Sequence, residues 1–312
     1  MTIRLSGTDT IRIKLSWQYR LLGGYFRMVK MFSRSSGSVD LLKERMELEK
    51  LGALFKPLAP INCMKADANG VPAEWIAPSG SSHRRTVFFV HGGSYVSGSI
   101  SSYRALAANI AHAADARALI IDYRLAPENR YPAAVEDAAA AYRWLIGSHA
   151  EPGKVVFVGD SSGGSLVLAL AVYLRDRGEP LPAAIVSLSP MTDLVMSGET
   201  WSTNAKSDIL IYPHKEREFA RMYLGDADPH TPYASPLYAD LKGLPPIFIQ
   251  VGTPELLLSD STRFAERARA AGVDVTIEQW EGMQHDWHFT ANFVPEGRKA
   301  IARIGEFIRS RM

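Results

Sequence analysis

The chain of 312 residues is poor in cysteine, has no marked excess of charge and contains no long hydrophobic run. Cys63 is its single cysteine, which excludes an internal disulfide and a cysteine-based metal site and suits a reducing compartment. A formal net charge of +2 gives no electrostatic basis for a nucleic-acid partner. The longest apolar run, residues 166–174, is far below the roughly 18 residues of a membrane span. With no apolar segment of signal-peptide length at the N-terminus, the sequence predicts a cytoplasmic protein.

From about residue 62 onward, apolar runs typical of buried strands alternate with helical segments. Asn69-Gly70 between two partly alternating runs predicts a hairpin over residues 62–78. Continuous apolar runs predict further strands at residues 86–90, 118–122, 155–158, 184–188, 247–251 and 275–279. Helices are predicted at residues 102–114, 132–146, 165–177, 259–271 and 295–311. This order predicts an α/β fold with a mostly parallel, doubly wound sheet of about eight strands.

Two stretches leave this alternation, and we expect them to form a helical cap. They are residues 1–61 and an insertion at about 191–230, which lies within the main domain of residues 62–312. Large apolar residues recur near helical spacing in the first stretch at Trp17, Leu21, Tyr25, Met28 and Phe32. Such a stripe suits a mobile lid or a membrane-surface helix, but amphipathic helices in soluble chains usually face a core. We therefore expect the stripe to pack on its own domain.

The most informative segment is Val-Val-Phe-Val-Gly-Asp-Ser-Ser-Gly-Gly at residues 155–164. A strand, a run of small residues and then a helix are the context in which Gly-x-Ser-x-Gly forms a nucleophile elbow. Gly159 and Gly163 fall two positions either side of Ser161, whereas a motif centred one residue later would put Asp160 where a small residue is needed. Ser161 is therefore the candidate nucleophile. A phosphate-binding turn is the alternative, but no glycine-rich phosphate motif is present.

Partners for Ser161 are expected beyond the carboxyl ends of the later strands. His285 lies in the loop after the last predicted strand and is the candidate general base, with His288 as its nearest rival. Glu255 directly follows the preceding strand and is the candidate acid that orients the imidazole. Asp260 stays an alternative, although its place at the start of a helix also suits an ordinary capping role. Nucleophile, acid, histidine is the α/β-hydrolase order.

A glycine-rich loop, His-Gly-Gly-Ser-Tyr, follows the first continuous apolar strand. Gly92, Gly93 and Ser94, together with Ser162, are the candidate oxyanion-hole residues. Glycines let backbone N–H donors approach a developing negative charge closely, and the residue after the nucleophile supplies a further donor. A tight turn at the strand end is the alternative interpretation. His91 is expected to brace this loop and not to react.

On these residues, the chain resembles the bacterial hormone-sensitive-lipase-like esterases, lipolytic enzymes of the α/β-hydrolase superfamily. The likeness runs from about residue 60 to the C-terminus and rests on residues 91–95, 122–128, 132–137, 159–164 and 189–193. The chain departs from the family pattern at three residues. Ser94 stands where glycine is usual, Ser162 where alanine is usual, and Glu255 where aspartate is usual. None of these departures removes a required group.

The resemblance implies a carboxylesterase that hydrolyses short- to medium-chain acyl esters through a Ser161 acyl-enzyme, without metal or organic cofactor. The expected partner is a small ester, and the likeness suggests a homodimer. Asp122, Tyr123 and Arg124 would then be scaffold residues. The aromatic residues expected to wall the substrate pocket are Tyr25, Phe26, Phe32, Tyr95 and Trp287.

Two other functions are compatible with the same scaffold. A hydrolase of amides, lactones or carbamates would use the same triad, because a serine nucleophile attacks any activated acyl group. A non-catalytic small-molecule receptor is the other alternative, since the fold alone does not fix function. The presence of Ser161, Glu255 and His285 argues against the receptor.

Overall fold

The computed structural model describes residues 7–32 and 39–312, which form a sheet of nine strands. In chain order the strands are β1 (Gly7–Ile11), β2 (Ile61–Asp67), β3 (Pro72–Pro78), β4 (Thr86–Val90), β5 (Arg117–Ile121), β6 (Val155–Asp160), β7 (Ala184–Leu188), β8 (Ile247–Gly252) and β9 (Val275–Trp280). Across the sheet their order is β1-β9-β8-β7-β6-β4-β5-β3-β2. The β2–β3 and β3–β5 pairs are antiparallel, and the other neighbouring pairs of these strands are parallel.

Helices follow most of the strands. They are α1 (Trp17–Phe32), α2 (Leu41–Leu54), α3 (Ile100–Ala113), α4 (Ala133–Ser148), α5 (Ser161–Arg175), α6 (Thr200–Thr203), α7 (Pro213–Leu224), α8 (Leu258–Ala270) and α9 (Pro295–Arg311). A six-residue 3₁₀ helix, Trp287–Asn292, precedes α9. The parallel strands and their crossover helices give the doubly wound α/β architecture that the sequence predicts.

The central strands are apolar on both faces because helices cover both sides of the sheet. In β4, Phe88 and Val90 join a buried cluster that includes side chains of α4, α5 and α8. The alternate residues Val87 and Phe89 join a second cluster with side chains of α3 and α9. Successive strand residues point to opposite faces, so a continuous apolar run is what a strand between two helical layers requires.

The strands and helices predicted from residue 62 onward are confirmed, with small shifts at their ends. The predicted count of about eight strands is one short, because β1 adds a parallel edge strand next to β9. Its sequence, Gly-Thr-Asp-Thr-Ile, has no apolar pattern that could have predicted a strand. Helix α4 also continues past Gly147 to Ser148, beyond its predicted end.

The apolar stripe of α1 does not pack on the protein, contrary to our expectation. Trp17, Leu21, Tyr25 and Met28 are 50–67% exposed, and the side chain of Phe32 lies outside the described residues. A different face of the helix packs, through Tyr19. Within the described residues, no helix combines the length and hydropathy needed to cross a membrane.

Helix packing generates a first prediction, at Gly305 in α9. A Cβ there would lie 2.3 Å from the carbonyl oxygen of Ala113, at the end of α3. Gly305→Ala should therefore lower the free energy of unfolding by about 1–3 kcal/mol, measured by urea denaturation. Gly147→Ala is the matched control, since no atom lies within 4 Å of its Cβ and alanine favours a helix. Equal stability of both variants would contradict tight α3–α9 packing.

Candidate active site

Ser161 is held at a sharp turn between β6 and α5. Its φ of +53° lies in the left-handed region, which is unfavourable for a serine and needs support from the surroundings. A Cβ on Gly159 would lie 2.3 Å from the carbonyl oxygen of Gly163, and a Cβ on Gly163 would lie 2.3 Å from that of Val90. Both positions therefore require glycine, as the nucleophile-elbow motif predicts. Ser161 lines a cavity at this edge of the sheet.

His285 and Glu255 are hydrogen-bonded at the same edge. The loop after β9 carries His285, whose Nδ1 lies 2.9 Å from Oε2 of Glu255 in the loop after β8. The other carboxylate oxygen of Glu255 accepts from Ser189 Oγ at 2.9 Å and from the backbone N–H of Gly252 at 2.5 Å. Because Nδ1 faces a carboxylate, it carries the proton and leaves Nε2 as the basic nitrogen. Glu255 is fully buried, so these donors are what compensates its charge.

The two rival residues make other contacts. Asp260 accepts from the backbone N–H of Asp193 and from Trp201 Nε1, both at 3.0 Å, and burial raises its pKa to about 8. Nε2 of His288 lies 2.9 Å from Gln250 Oε1, and burial lowers the pKa of this histidine to about 3. Neither side chain lines the cavity that holds Ser161.

A second carboxylate lies on the opposite side of the imidazole. Asp286 Oδ2 is 3.4 Å from Nε2 of His285, and the backbone of Asp286 is left-handed with a φ of +57°. Burial alone would lower the pKa of His285, but the charges of Asp286 and Glu255 raise it above its ordinary value. Asp160 lies nearby, and burial together with Asp286 raises its pKa well above normal. Sequence reasoning assigned no role to Asp286, although it is adjacent to the candidate base.

The loop of candidate oxyanion donors has an unusual backbone. Gly93, Ser94 and Tyr95 have consecutive φ values of +105°, +54° and +63°. A Cβ on Gly93 would lie 2.3 Å from the carbonyl oxygen of Ser97, so glycine is obligatory there. The backbone N–H of Tyr95 donates to Ser162 Oγ at 3.3 Å. One departure from the family pattern, Ser162, thus links the elbow to this loop.

The other serine departure contacts helix α7. Ser94 Oγ donates a hydrogen bond of 2.8 Å to Oε2 of Glu216, a buried residue of α7. Burial raises the pKa of Glu216 to about 7, although the Ser94 hydrogen bond and the charge of His285 lower it. Sequence reasoning missed Glu216, since no local pattern distinguishes it from other helical glutamates.

The residues expected to act as scaffold make bracing contacts. Asp122 Oδ1 accepts from the backbone N–H of Ile100 at 2.7 Å. Tyr123 donates its hydroxyl to the carbonyl oxygen of His91 at 2.9 Å and stacks on that ring at 4.3 Å. The Arg124 guanidinium binds the Asp137 carboxylate at 2.7–2.9 Å. These contacts tie the segment after β5 to the glycine-rich loop, to the start of α3 and to α4.

The cavity has a volume of about 380 Å³, within the usual range for small-molecule sites. Trp287 and Phe26 line it, as does Phe219 of α7. Tyr95, expected to line it, is buried instead against Tyr223, with ring centroids 3.8 Å apart. Tyr25, also expected there, is 56% exposed and outside the lining. The sequence alone could not show which aromatic side chains line the cavity, which lie in the core and which are exposed.

Helix α1 also supports the loop that carries His285. The Tyr19 hydroxyl accepts from the backbone N–H of Gln284 at 2.6 Å and donates to the carbonyl oxygen of Gly282 at 3.2 Å. The Gln284 side chain in turn accepts from the backbone N–H of Ile209 at 2.9 Å. Across the described parts of the chain, no group of three or more His, Cys, Asp and Glu side chains has a geometry that could hold a metal ion.

Comparison with known proteins identifies the family. A family model for the α/β-hydrolase fold matches residues 87–289. An acetyl-hydrolase of Streptomyces hygroscopicus is 44% identical over 238 residues, which cover 76% of this chain and 79% of that protein. The crystal structure of an esterase from the bacterial hormone-sensitive lipase family superposes with a TM-score of 0.90 at 42% identity, covering 96% of this chain and 99% of the other. The chain belongs to this esterase family.

As a member of that family, the protein is a serine carboxylic ester hydrolase, which confirms the resemblance noted in its sequence. A third comparison is with the solved structure of another protein, EstE5. The structure of EstE5 soaked with p-nitrophenyl butyrate superposes on the esterase with a TM-score of 0.88 at 39% identity, covering 95% of this chain and 99% of EstE5.

The carboxylate beside Nε2 generates a prediction on pH dependence. A general base accepts a proton only in its neutral form, and the negative charge of Asp286 stabilises the protonated form of the candidate base, His285. Asp286→Asn should therefore lower the pKa of His285 and move the acidic limb of the kcat/KM profile to lower pH by roughly 1 unit. Glu281→Gln is the control in the same loop, where the side chain is 58% exposed. A limb that stays in place or moves to higher pH in Asp286→Asn would contradict this electrostatic role.

Proposed function

We propose that Ser161, His285 and Glu255 are the catalytic triad of this carboxylesterase, which hydrolyses short- to medium-chain acyl esters through an acyl-enzyme. The supporting observation is the 2.9 Å hydrogen bond between His285 and Glu255 at the wall of the cavity that also contains Ser161. The chain order of the three residues is that of α/β-hydrolases. Asp260, bonded to Asp193 and Trp201, lacks the contact to the histidine that the acid needs.

The proposed reaction assigns each of these residues one step. Nε2 of His285 takes the proton of Ser161 as Oγ attacks the ester carbonyl, and Glu255 stabilises the imidazolium that forms. Backbone N–H groups of the glycine-rich loop and of the elbow stabilise the oxyanion; the proposed residues are Gly92, Gly93, Ser94 and Ser162. The imidazolium then protonates the leaving alcohol. A water molecule, deprotonated by His285, attacks the acyl-enzyme and releases the carboxylic acid and Ser161.

The cavity supports a small ester as substrate. Its volume of about 380 Å³ and its apolar walls suit an acyl chain of modest length. The related EstE5 was soaked with p-nitrophenyl butyrate, an ester of that size. We also propose residues 1–61 and 191–230 as the cap and the rest of 62–312 as the catalytic domain, since α1, α2 and α7 contribute to the cavity wall. Residues 7–11 lie within this region but form strand β1, which extends the sheet next to β9.

The nucleophile is tested by Ser161→Ala. Hydrolysis of p-nitrophenyl butyrate should fall by on the order of 10⁵-fold or more, because the acyl-enzyme can no longer form. Ser202→Ala, at an exposed serine of the cap, is the control and should keep wild-type turnover. The same assay on esters from acetate to palmitate should show its optimum at short to medium chains. Substantial activity in Ser161→Ala would exclude the mechanism, and an optimum at palmitate would exclude the substrate class.

The acid is tested by a matched pair of substitutions. Glu255→Gln should lower kcat by on the order of 10⁴-fold, because the amide no longer stabilises the imidazolium or holds its tautomer. Asp260→Asn should leave kcat within about tenfold of wild type and mainly reduce stability, because a buried hydrogen-bond network is disturbed. Both rates are expressed per titrated active site. A larger loss in Asp260→Asn would transfer the role to Asp260.

A further inference from the structure

The conformation of the glycine-rich loop needs support. Ser94 and Tyr95 both have left-handed backbones, a region that costs free energy for residues with a side chain. Glycine would adopt this backbone at Ser94 without that cost. A loop with this sequence therefore keeps its conformation only where contacts with its surroundings compensate this cost.

Two contacts from helix α7 give this support. Glu216 accepts the hydrogen bond of Ser94 Oγ at 2.8 Å. Seven residues further along, Tyr223 stacks on Tyr95 with an angle of 5° between the rings. Residues seven apart fall on the same face of a helix, so one face of α7 contacts both strained residues. Phe219, between them, lines the cavity.

The hydrogen bond has the properties of a positioning contact. Glu216 is only 8% exposed, so water competes little for its carboxylate. The acceptor, Glu216, lies on the proposed cap, whereas the donor, Ser94, lies on the loop that follows β4 in the catalytic domain. The pair therefore fixes the cap and the loop relative to each other at the cavity wall.

We propose that Glu216 is a positioning residue for the oxyanion hole, which acts through the Ser94 hydroxyl to hold the loop in the conformation that binds the transition state. This inference rests on the proposed function, because it assumes that the loop donates to the oxyanion. Donors stabilise the transition state only when they are already aimed at it, and displacement of a reacting group by about 1 Å costs on the order of 100-fold in rate. The effect should thus fall on kcat.

The experiment is a double-mutant cycle between Glu216 and Ser94 with p-nitrophenyl butyrate. Glu216→Ala should lower kcat roughly tenfold and leave KM within about twofold, since an interaction of the transition state is lost. Glu216→Gln should retain most of kcat, because its amide oxygen still accepts from Ser94. Ser94→Ala should lower kcat about as much as Glu216→Ala, because it removes the same hydrogen bond and keeps a Cβ on the left-handed backbone. In that background, Glu216→Ala should cost less than about twofold.

Controls separate positioning from folding and from the proposed function. Glu218→Ala changes a neighbouring glutamate of α7 that accepts from Val39 N–H and should leave kcat unchanged. Active-site titration counts the competent enzyme in every variant. Equal cost of Glu216→Ala in both backgrounds, or equal loss in Glu216→Gln and Glu216→Ala, would overturn the inference. A wild-type protein that does not hydrolyse the ester would instead overturn the proposed function.

Discussion

The close contact between the turn at Ser161 and the end of β4 is the constraint on which the site depends. A Cβ on Gly163 would lie 2.3 Å from the carbonyl oxygen of Val90 and 2.4 Å from that of His91. The first turn of α5 is therefore pressed against the start of the glycine-rich loop. This contact brings the candidate nucleophile and the candidate oxyanion donors together, and it leaves no room for a side chain. The ends of β8 and β9 then add Glu255 and His285 from the neighbouring part of the sheet.

Ser94 and Ser162, which replace the glycine and alanine usual in the family, both contact the glycine-rich loop or its support. Ser162 accepts from the backbone N–H of Tyr95, and Ser94 donates to Glu216. One serine links the loop to the elbow, and the other links it to helix α7. The sequence could flag both as departures from the family pattern. It could not show that they support the same loop, because the acceptor on α7 lies more than a hundred residues from Ser94.

The sequence predicted what local patterns encode. Buried strands read as apolar runs, and residues that follow parallel strands meet at one edge, so the proximity of Glu255 to His285 was foreseeable. Long-range contacts could not be foreseen from the sequence. β1 has no apolar pattern and is a strand only because β9 offers a free edge. The periodicity of α1 identified two faces, but Tyr19 and its hydrogen bonds to the His285 loop decide which face packs, and these leave Trp17 exposed. Glu216 acquires a role only from the folded cap.

The imidazole of His285 lies between two carboxylates that have opposite consequences. In the proposed mechanism, Glu255 at Nδ1 orients the ring and stabilises the imidazolium in the transition state, which favours catalysis. Asp286 is near Nε2, the nitrogen that receives the proton of Ser161 in the proposed mechanism, and it stabilises the imidazolium already in the free enzyme. That second contact strengthens the base but reduces its neutral fraction at a given pH. Burial and the charge of Asp286 raise the pKa of Asp160, which disfavours a second negative charge near this histidine. The pH range in which the esterase is active thus depends on how strongly Asp286 stabilises the imidazolium in the free enzyme.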